Sequence, residues 1–271
     1  MQASTQWQLA TDAAEKYEEI LVPVILGPAA KALVDFADVQ PGETVLDVGC
    51  GTGIAARYAA EKMKSAGRII GVDINAGMLS VAKSLTSAIG EHIQWHESSA
   101  EKLPFPDHSI DVILCAQCLQ FVKHRDAALR EMRRVLKPEG RLAISLWCDI
   151  AENLYFSVLI GAISDYIGSE ISTGLSAAFQ LSAADDIRNL LTQNGFSRLQ
   201  IAPQQLDLDL PELQNFVPKH ISATPMATGF YAATGEKQQA VVSALDQQLA
   251  NFKAANGVRI PFKTHCILAK I

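Results

Sequence analysis

Short apolar runs alternate with amphipathic segments through the first half of the chain. From about residue 44 to residue 146, runs of β-branched and other apolar residues are separated by segments whose apolar positions recur with a helical period. This alternation is typical of strand–helix–strand units that build a parallel sheet. It predicts five strands, at Thr44–Val48, Arg68–Asp73, His92–Glu97, Ile110–Cys115 and Arg141–Leu146. It predicts three intervening helices, at Ile54–Lys64, Gly77–Ala88 and Arg125–Leu136, with a turn at Lys137-Pro138-Glu139-Gly140 after the last.

The pattern loosens after residue 147. Helical periodicity returns at Ala183–Asn194 and in the amphipathic run Lys237–Ala254, and an apolar segment covers Leu154–Ile167, followed by a Gly/Ser-containing stretch at Gly168–Ser176. A strand at Ser197–Ile201 with its continuation at Gln205–Leu210 is predicted, and a last strand at Thr264–Ile271. We therefore expect two helical insertions near the end of a sheet.

The composition is that of an ordinary globular protein and excludes several classes. Hydrophobic residues make up 49 % of the 271 residues and charged residues 19 %, which excludes a disordered or collagen-like chain. The chain carries 23 Lys+Arg against 29 Asp+Glu, a formal net charge of −6. We expect no nucleic-acid partner, because such binding relies on a basic surface that neutralises phosphates.

The cysteines and the N-terminal region favour a cytoplasmic protein. Five scattered cysteines are typical of reduced thiols, and we interpret the pair Cys115 and Cys118 as packing residues at the end of a strand, with no metal site expected. No basic segment precedes the first apolar stretch, so a secretory signal is not indicated. Pro23 and Pro28 interrupt the longest apolar candidate, so we expect no stable membrane insertion.

A glycine-rich loop follows the first predicted strand. Gly49, Gly51 and Gly53 stand between this strand and a helix, which lets a ligand approach the backbone. Asp73, 20 residues beyond Gly53, ends the second strand, where a carboxylate accepts hydrogen bonds from ribose hydroxyls. Ile54 departs from the dinucleotide pattern G-x-G-x-x-G/A, and the preceding Asp47 disfavours a pyrophosphate. These residues favour an adenosine ligand without phosphate over a dinucleotide.

These residues and four further segments resemble class I S-adenosylmethionine-dependent methyltransferases. Val45–Gly53 resembles their first motif, and Gly71–Ile74 with Met78 resembles the second. Further similarity lies at Ser99–Asp107, Asp111–Leu114 and Arg134–Leu142. The most similar subgroup comprises small-molecule enzymes similar to the ubiquinone/menaquinone C-methyltransferases.

The resemblance implies an α/β fold, with a Rossmann-like, mostly parallel sheet of seven strands, helices on both faces and helical cap insertions. Residues 1–271 would form a single methyltransferase domain, with a cofactor-binding core at about residues 40–147 and caps at about residues 148–180 and 211–257. The implied cofactor is S-adenosylmethionine. The implied cofactor contacts are Asp47, Gly49 and Gly51 at the methionine end, Asp73 at the ribose, Ile74, Met78, Ser99, Ala100 and Glu101 at the adenine, Ala116 and Gln117 after the fourth strand, and Tyr17 in a covering N-terminal helix. Ser99 departs from the Asp that many relatives carry.

The acceptor side is less specific in the sequence. Gln120 and Phe121 follow the fourth strand, and Tyr155 and Phe179 represent the apolar and aromatic residues of the insertions. His220, in the second insertion, is a candidate general base or a hydrogen-bonded structural residue.

The expected reaction is in-line methyl transfer to a small lipophilic or aromatic acceptor, which needs alignment and exclusion of water more than a strong acid or base. Two alternatives stay open: an NAD-dependent oxidoreductase, and a non-catalytic partner protein that binds S-adenosylmethionine. The sequence indicates no oligomeric state.

Overall fold

Eight strands form one sheet in the part of the chain that the structure describes. The computed structural model describes residues 11–64, 66–87 and 93–271, so Ala88 and His92, at two predicted boundaries, lie outside the described residues. The strands are β1 (Thr44–Val48), β2 (Arg68–Asp73), β3 (Ile93–Glu97), β4 (Ile110–Ala116), β5 (Leu136–Trp147), β6 (Ser197–Pro211), β7 (Lys253–Ala254) and β8 (Gly257–Lys270). Their order is β3-β2-β1-β4-β5-β8-β6, and the short β7 pairs with β8. The first five strands are parallel, and β8 runs antiparallel between β5 and β6.

The helices come before, between and after the strands. They are α1 (Thr11–Lys16), α2 (Gly27–Phe36), α3 (Ile54–Met63), α4 (Ala76–Thr86), α5 (Arg125–Val135), α6 (Leu154–Tyr166), α7 (Ser169–Ser176), α8 (Ala184–Gln193), α9 (Leu213–Ser222), α10 (Ala227–Ala232) and α11 (Gly235–Gln248). A π-helical segment, Tyr17–Leu26, joins α1 to α2. Short 3₁₀ turns lie at Leu119–Phe121, Ile150–Glu152, Ala177–Phe179 and Ala250–Phe252.

Helices cover both faces of the parallel part of the sheet. Successive strand residues point to opposite faces, so Val45 packs in a cluster with α2 and α3. Its neighbour Leu46 packs in the opposite cluster, with α5 and α8. The predicted α/β, Rossmann-like sheet with helices on both faces is thus confirmed, and the short β7 is an eighth strand beside the expected seven.

A third apolar cluster joins the helices of the second half to the antiparallel end of the sheet. It contains residues of α6, α9 and α11 together with β8 residues such as Ile260 and Phe262. Tyr155 and Phe262 are fully buried in it, and burial of a side chain of this size contributes about 1.5–3 kcal/mol. Within the described ranges, no helix is long and apolar enough to cross a membrane.

Two predicted strand starts are wrong. β5 begins at Leu136, not Arg141, because Leu136 pairs with Ile110. The register then shifts, so that Val112 pairs with Arg141, and the predicted turn is part of the strand. β8 begins at Gly257, not Thr264, because it pairs with β6 along almost the whole length of both strands. β6 runs from Ser197 to Pro211 and so joins the predicted strand to its predicted continuation. Gly168–Ser176 is largely helical.

The run Lys237–Ala254 also differs from its prediction. The helix of this run is α11, which begins at Gly235 and ends at Gln248. The remaining residues form a 3₁₀ turn and β7, since β7 pairs with the first residues of β8.

Candidate active site

A cavity of about 220 Å³ lies at the carboxyl ends of the parallel strands. Loops after β1, β2, β3 and β4 form one wall, and the π-helical segment, the end of β5 and residues of α6, α7 and α9 form the rest. In open α/β sheets this edge is where ligands bind, because the loops there diverge from a common sheet.

The glycine loop after β1 has a backbone that other residues adopt with strain. Gly49 and Gly51 have φ values of +68° and +55°, in the left-handed region. A Cβ on Gly49 would lie 2.0 Å from the Sγ of Cys118, so this position also has no room for a side chain. A Cβ on Gly51 would meet only Tyr17, at 3.8 Å or more. The loop therefore presents bare backbone to the cavity.

Asp73 places a carboxylate in the cavity wall at the end of β2. Its Oδ2 accepts a hydrogen bond from Gly51 N and its Oδ1 accepts one from Asn75 N, each at 2.8 Å. Burial raises the pKa of Asp73 above its usual value, although these backbone amides act to lower it. Since each carboxylate oxygen has two lone pairs, both oxygens retain capacity to accept a hydrogen bond from a ligand hydroxyl.

Asp47 does not line the cavity, although the sequence predicts that it contacts the ligand. Its side chain is 1 % exposed, and its Oδ2 accepts a hydrogen bond from Ala56 N at 3.1 Å. Burial raises its pKa to about 7, with a smaller contribution from the charge of Asp73. No partner for Oδ1 is found in the described part of the chain. Asp47 thus ties the first turn of α3 to β1 behind the glycine loop.

Apolar and polar residues from the loops after β2 and β3 stand beside Asp73. Ile74 is 49 % exposed and Met78 is buried at the start of α4, and both line the cavity. The Oγ of Ser99 accepts a hydrogen bond from Glu101 N at 3.1 Å, so Ser99 shapes this loop as well as lining the cavity. These residues leave an open apolar surface next to the carboxylate.

Tyr17 covers the glycine loop from the π-helical segment. The residue lines the cavity, and burial and the nearby Asp73 raise the pKa of its hydroxyl well above the usual value. The next residue, Glu18, forms an ion pair of 2.6 Å with Arg57 of α3, and both side chains are mostly buried. This ion pair ties the covering segment to the helix that follows the glycine loop.

Two glutamines follow β4. Gln117 has a φ of +49°, and its Nε2 donates a hydrogen bond to Thr264 Oγ1 at 2.9 Å. Gln120 is 3 % exposed, and its Nε2 donates to Gln117 Oε1 at 3.4 Å. The Oε1 of Gln120 is buried without a hydrogen-bond partner among the described residues, and Gln120 lines the cavity. The site therefore holds a buried acceptor whose hydrogen-bonding capacity is unused.

The part of the cavity away from Asp73 is mostly apolar. Its wall comprises Leu21, Ile25, Leu26, Phe121, Trp147, Phe156, Leu175, Ala178 and His220. His220 is its buried polar group, with a side chain 2 % exposed. Burial lowers the pKa of His220 to about 3, so the imidazole is neutral at physiological pH.

The parallel half of the chain is similar in sequence to a family of known proteins. Residues 46–144 match the family model described as a methyltransferase domain. The ubiquinone/menaquinone biosynthesis C-methyltransferase UbiE of Ectopseudomonas mendocina is 41 % identical over 113 residues, which are 41 % of this chain and 44 % of that protein. The corresponding protein of Pseudomonas aeruginosa is 37 % identical over 123 residues, 45 % of this chain and 48 % of its own. Residues 46–144 are thus similar to a methyltransferase domain.

The similarity to these curated relatives is partial in length, because the matched stretch spans less than half of each of them. Solved structures cover more of this chain. YcgJ of Bacillus subtilis has a TM-score of 0.57 and 20 % identity, with 89 % of this chain and 97 % of that chain covered. Phosphoethanolamine N-methyltransferase 2 of Haemonchus contortus, in complex with phosphomonomethylethanolamine and S-adenosylhomocysteine, has a TM-score of 0.62 and 18 % identity, with 97 % and 58 % covered. At these identities the two structures share the fold with this chain.

The fold brings most of the predicted site residues to one cavity. Those that line it are Tyr17, Gly49, Gly51, Asp73, Ile74, Met78, Ser99, Ala100, Glu101, Gln117, Gln120, Phe121 and His220. Four predicted residues, Asp47, Ala116, Tyr155 and Phe179, are not among the lining residues.

Two of these four residues, Tyr155 and Phe179, contact residues that line the cavity. Ala116 packs against the apolar cluster of α2 and α3. Tyr155 is fully buried, and its Oη lies 2.7 Å from Nδ1 of His220. The ring of Phe179 packs edge-on to Phe156 at a centroid distance of 5.3 Å, so Phe156 and not Phe179 faces the cavity.

Sequence reasoning missed several lining residues. These are Leu21, Ile25, Leu26, Asn75, Ser98, Cys118, Val122, Lys123, Trp147, Phe156, Leu175 and Ala178. Of these residues, Cys118 could have been predicted, because it directly follows Gln117, a predicted contact residue. Its thiol has a pKa raised well above the usual value by a hydrogen bond with Cys115 and by burial, which agrees with its interpretation as a packing residue. Among the described residues, no group of three or more His, Cys, Asp or Glu is placed to hold a metal ion.

Proposed function

We propose that the protein transfers a methyl group from S-adenosylmethionine to a small, apolar acceptor. The observation that carries this proposal is a single cavity in which the Asp73 carboxylate and the bare backbone of the glycine loop meet a wall of apolar side chains. The part of the cavity beside Asp73 and the glycine loop suits a ligand with ribose hydroxyls. The part lined by apolar side chains suits an apolar molecule.

The residues at the polar end fit S-adenosylmethionine. The remaining lone pairs of Asp73 would accept hydrogen bonds from both ribose hydroxyls, and Ile74 with Met78 would pack on the adenine. The space above Gly51 gives the amino-acid end room against the backbone. Asp47 would act from behind, by holding α3 against β1.

The chain's contribution to the reaction would be alignment and exclusion of water. When bound, S-adenosylmethionine supplies a methyl group on a positively charged sulfur. The apolar wall, with Trp147 and Phe156 as its aromatic members, would keep water away from this methyl group and hold an acceptor in line with it. The unpaired Oε1 of Gln120 would accept a hydrogen bond from either ligand.

The relatives support a small-molecule acceptor. The curated relatives are named as C-methyltransferases of ubiquinone and menaquinone biosynthesis, and the apolar wall of the cavity suits an acceptor of lipophilic or aromatic character. We propose further that residues 1–271 act as one domain in which residues 148–180 and 211–257 close the acceptor end. A cytoplasmic location would follow for such an enzyme.

Calorimetric titration with S-adenosylhomocysteine tests the cofactor, with NAD as the control ligand. We expect micromolar-range binding of S-adenosylhomocysteine and none of NAD. Binding of NAD alone would contradict the proposal and favour the oxidoreductase.

Transfer of an isotopically labelled methyl group to lipophilic acceptors then separates an enzyme from a binding partner. Mass spectrometry of the products detects the label. A protein that binds S-adenosylmethionine but labels none of a broad panel of such acceptors would be a binding partner and not an enzyme.

A further inference from the structure

A tyrosine–histidine pair stands at the apolar end of the cavity. The Oη of Tyr155, from α6, lies 2.7 Å from Nδ1 of His220, from α9. The two rings are nearly parallel, with an interplanar angle of 14°. Phe156, Phe216 and Phe262 pack around the pair. His220 lines the cavity, whereas Tyr155 is fully buried behind it.

The buried tyrosine determines which nitrogen of His220 carries the proton. The Tyr155 hydroxyl is a single donor in apolar surroundings, and a buried donor without a partner is destabilising. Among the described residues, Nδ1 of His220 is its hydrogen-bond partner. The hydroxyl therefore donates to Nδ1, which must be unprotonated. In a neutral imidazole the proton is then on Nε2, the nitrogen of this cavity-lining ring that Tyr155 does not contact.

We propose that His220 is an acceptor-binding residue whose Nε2–H donates a hydrogen bond to an oxygen of the methyl acceptor. The substrate class is then narrower than any apolar molecule: an aromatic or lipophilic compound that carries a hydroxyl or carbonyl oxygen. This inference rests on the proposed function, since it concerns the acceptor end of the same cavity. Tyr155 is a positioning residue, because it acts through the tautomer and orientation of His220.

The role of hydrogen-bond donor differs from the role of general base that the sequence offers for His220. A base needs a lone pair on the nitrogen that meets the substrate, and the Tyr155 hydrogen bond leaves that lone pair on Nδ1, away from the cavity. The apolar surroundings also disfavour the imidazolium that a base must form. A fixed N–H donor needs neither, and it holds an acceptor oxygen in place through a hydrogen bond.

The tautomer is directly measurable by ¹⁵N NMR of the imidazole rings in the ligand-free protein. We expect the His220 spectrum at neutral pH to show a protonated Nε2 and an unprotonated Nδ1, with His220→Gln used to assign the signals. Tyr155→Phe removes the hydroxyl while retaining the ring, and we expect it to abolish the preference for one tautomer. A proton on Nδ1, or an imidazolium, in the wild-type protein would overturn the proposal.

Binding of a matched probe pair tests the donor. The probes are 2-naphthol and naphthalene, titrated in the presence of saturating S-adenosylhomocysteine. We expect 2-naphthol to shift the His220 Nε2 signal and to bind about 10-fold more tightly than naphthalene, because naphthalene leaves the N–H unpaired.

Two substitutions at residue 220 separate the donor from the packing role. His220→Gln keeps an N–H near the position of Nε2, whereas His220→Leu removes it, and both remove the imidazole that Tyr155 contacts. We expect the preference for 2-naphthol to persist in His220→Gln and to disappear in His220→Leu, with circular dichroism as the check on folding. Equal preference in both variants, or an unmoved Nε2 signal, contradicts the assignment.

The failure of this inference is distinguishable from failure of the proposed function. The tautomer is measured without cofactor or acceptor, so it stands or falls independently of S-adenosylhomocysteine binding. A protein with the Nε2–H tautomer that binds no S-adenosylhomocysteine would refute the proposed function alone. A protein that binds S-adenosylhomocysteine but carries the Nδ1–H tautomer would refute the role of His220 alone.

Discussion

Replacement of Asp73 by alanine should remove the strongest polar contact proposed for the cofactor. The carboxylate sits at the end of β2, and its two oxygens already accept hydrogen bonds from Gly51 N and Asn75 N at 2.8 Å. These bonds orient both oxygens, so the remaining lone pairs are held in place for a ribose. Asp73→Ala therefore removes the ligand contacts and loosens the glycine loop together.

The expected loss follows from the charge and burial of this group. Hydrogen bonds to an ionised acceptor contribute more than neutral ones, and the loss of the Asp73 contacts should weaken S-adenosylhomocysteine binding by roughly 1.5–3 kcal/mol, or about 10- to 150-fold in Kd. The affinity of Asp73→Asn for S-adenosylhomocysteine should lie between those of the wild-type protein and Asp73→Ala, because an amide oxygen still accepts one hydrogen bond but carries no charge.

Asp111→Ala is the matched control. Asp111 also accepts a hydrogen bond from a backbone amide of β1, from Thr44 N at 2.9 Å, but it lies at the amino end of β4, away from the cavity. Calorimetric titration of both variants, after thermal unfolding has verified that each is folded, gives the comparison. A folded Asp73→Ala protein with wild-type affinity would refute the ribose assignment, as would an equal loss in Asp111→Ala.

Three further outcomes are expected. The affinity for S-adenosylhomocysteine should fall as the pH drops through the raised pKa of Asp73, because the ligand hydroxyls bind the charged carboxylate more strongly than the protonated one. Calorimetric titrations from pH 4 to 8 test this, and the affinity of Asp73→Asn should depend less on pH. Gly49→Ala should lower the free energy of unfolding by more than Gly42→Ala. Both glycines have a positive φ, so backbone strain should cost about 1–3 kcal/mol in each variant, but among the described residues only the Cβ at residue 49 would clash, with Cys118. Urea unfolding measures both losses, and equal losses would exclude the clash. The folded protein binds a proton at Asp47 up to a pKa of about 7, whereas the unfolded chain releases it at the ordinary value of 3.8. The free energy of unfolding should therefore decrease as the pH rises from about 4 to 7. Asp47→Asn should make this decrease smaller, and an unchanged dependence of stability on pH would contradict the raised pKa.

The parallel half of the fold was predictable because its signals are local. β1 and β2 occur at the predicted bounds, since runs of buried β-branched residues next to glycine or polar turns leave few alternatives. The antiparallel half was less predictable. Leu206 to Leu210 alternates as a strand should, but the continuous pairing of β6 with β8 depends on residues some 50 positions apart along the chain. No local pattern contains that information.

The same distinction applies to the cavity. Gly49, Gly51 and Asp73 follow adjacent strands, so the order of the strands alone brings them to one edge. Asp47 shows the limit of this reasoning, because a position next to the loop does not determine on which side of the backbone a carboxylate lies. Its hydrogen bond to Ala56 N, behind the loop, is a property of the packed α3.

The two ends of the cavity therefore depend on different parts of the chain. The polar end is built from strand-end loops inside residues 46–144, the stretch that matches the family model. The apolar end combines Ile25, Trp147, Phe156 and His220, which come from separate segments held together by the third apolar cluster and β8. Substitutions after residue 144 can alter this wall while leaving the glycine loop and Asp73 in place. Acceptor preference should accordingly respond to changes at His220 with little change in S-adenosylhomocysteine affinity, whereas changes at Asp73 should alter cofactor affinity first.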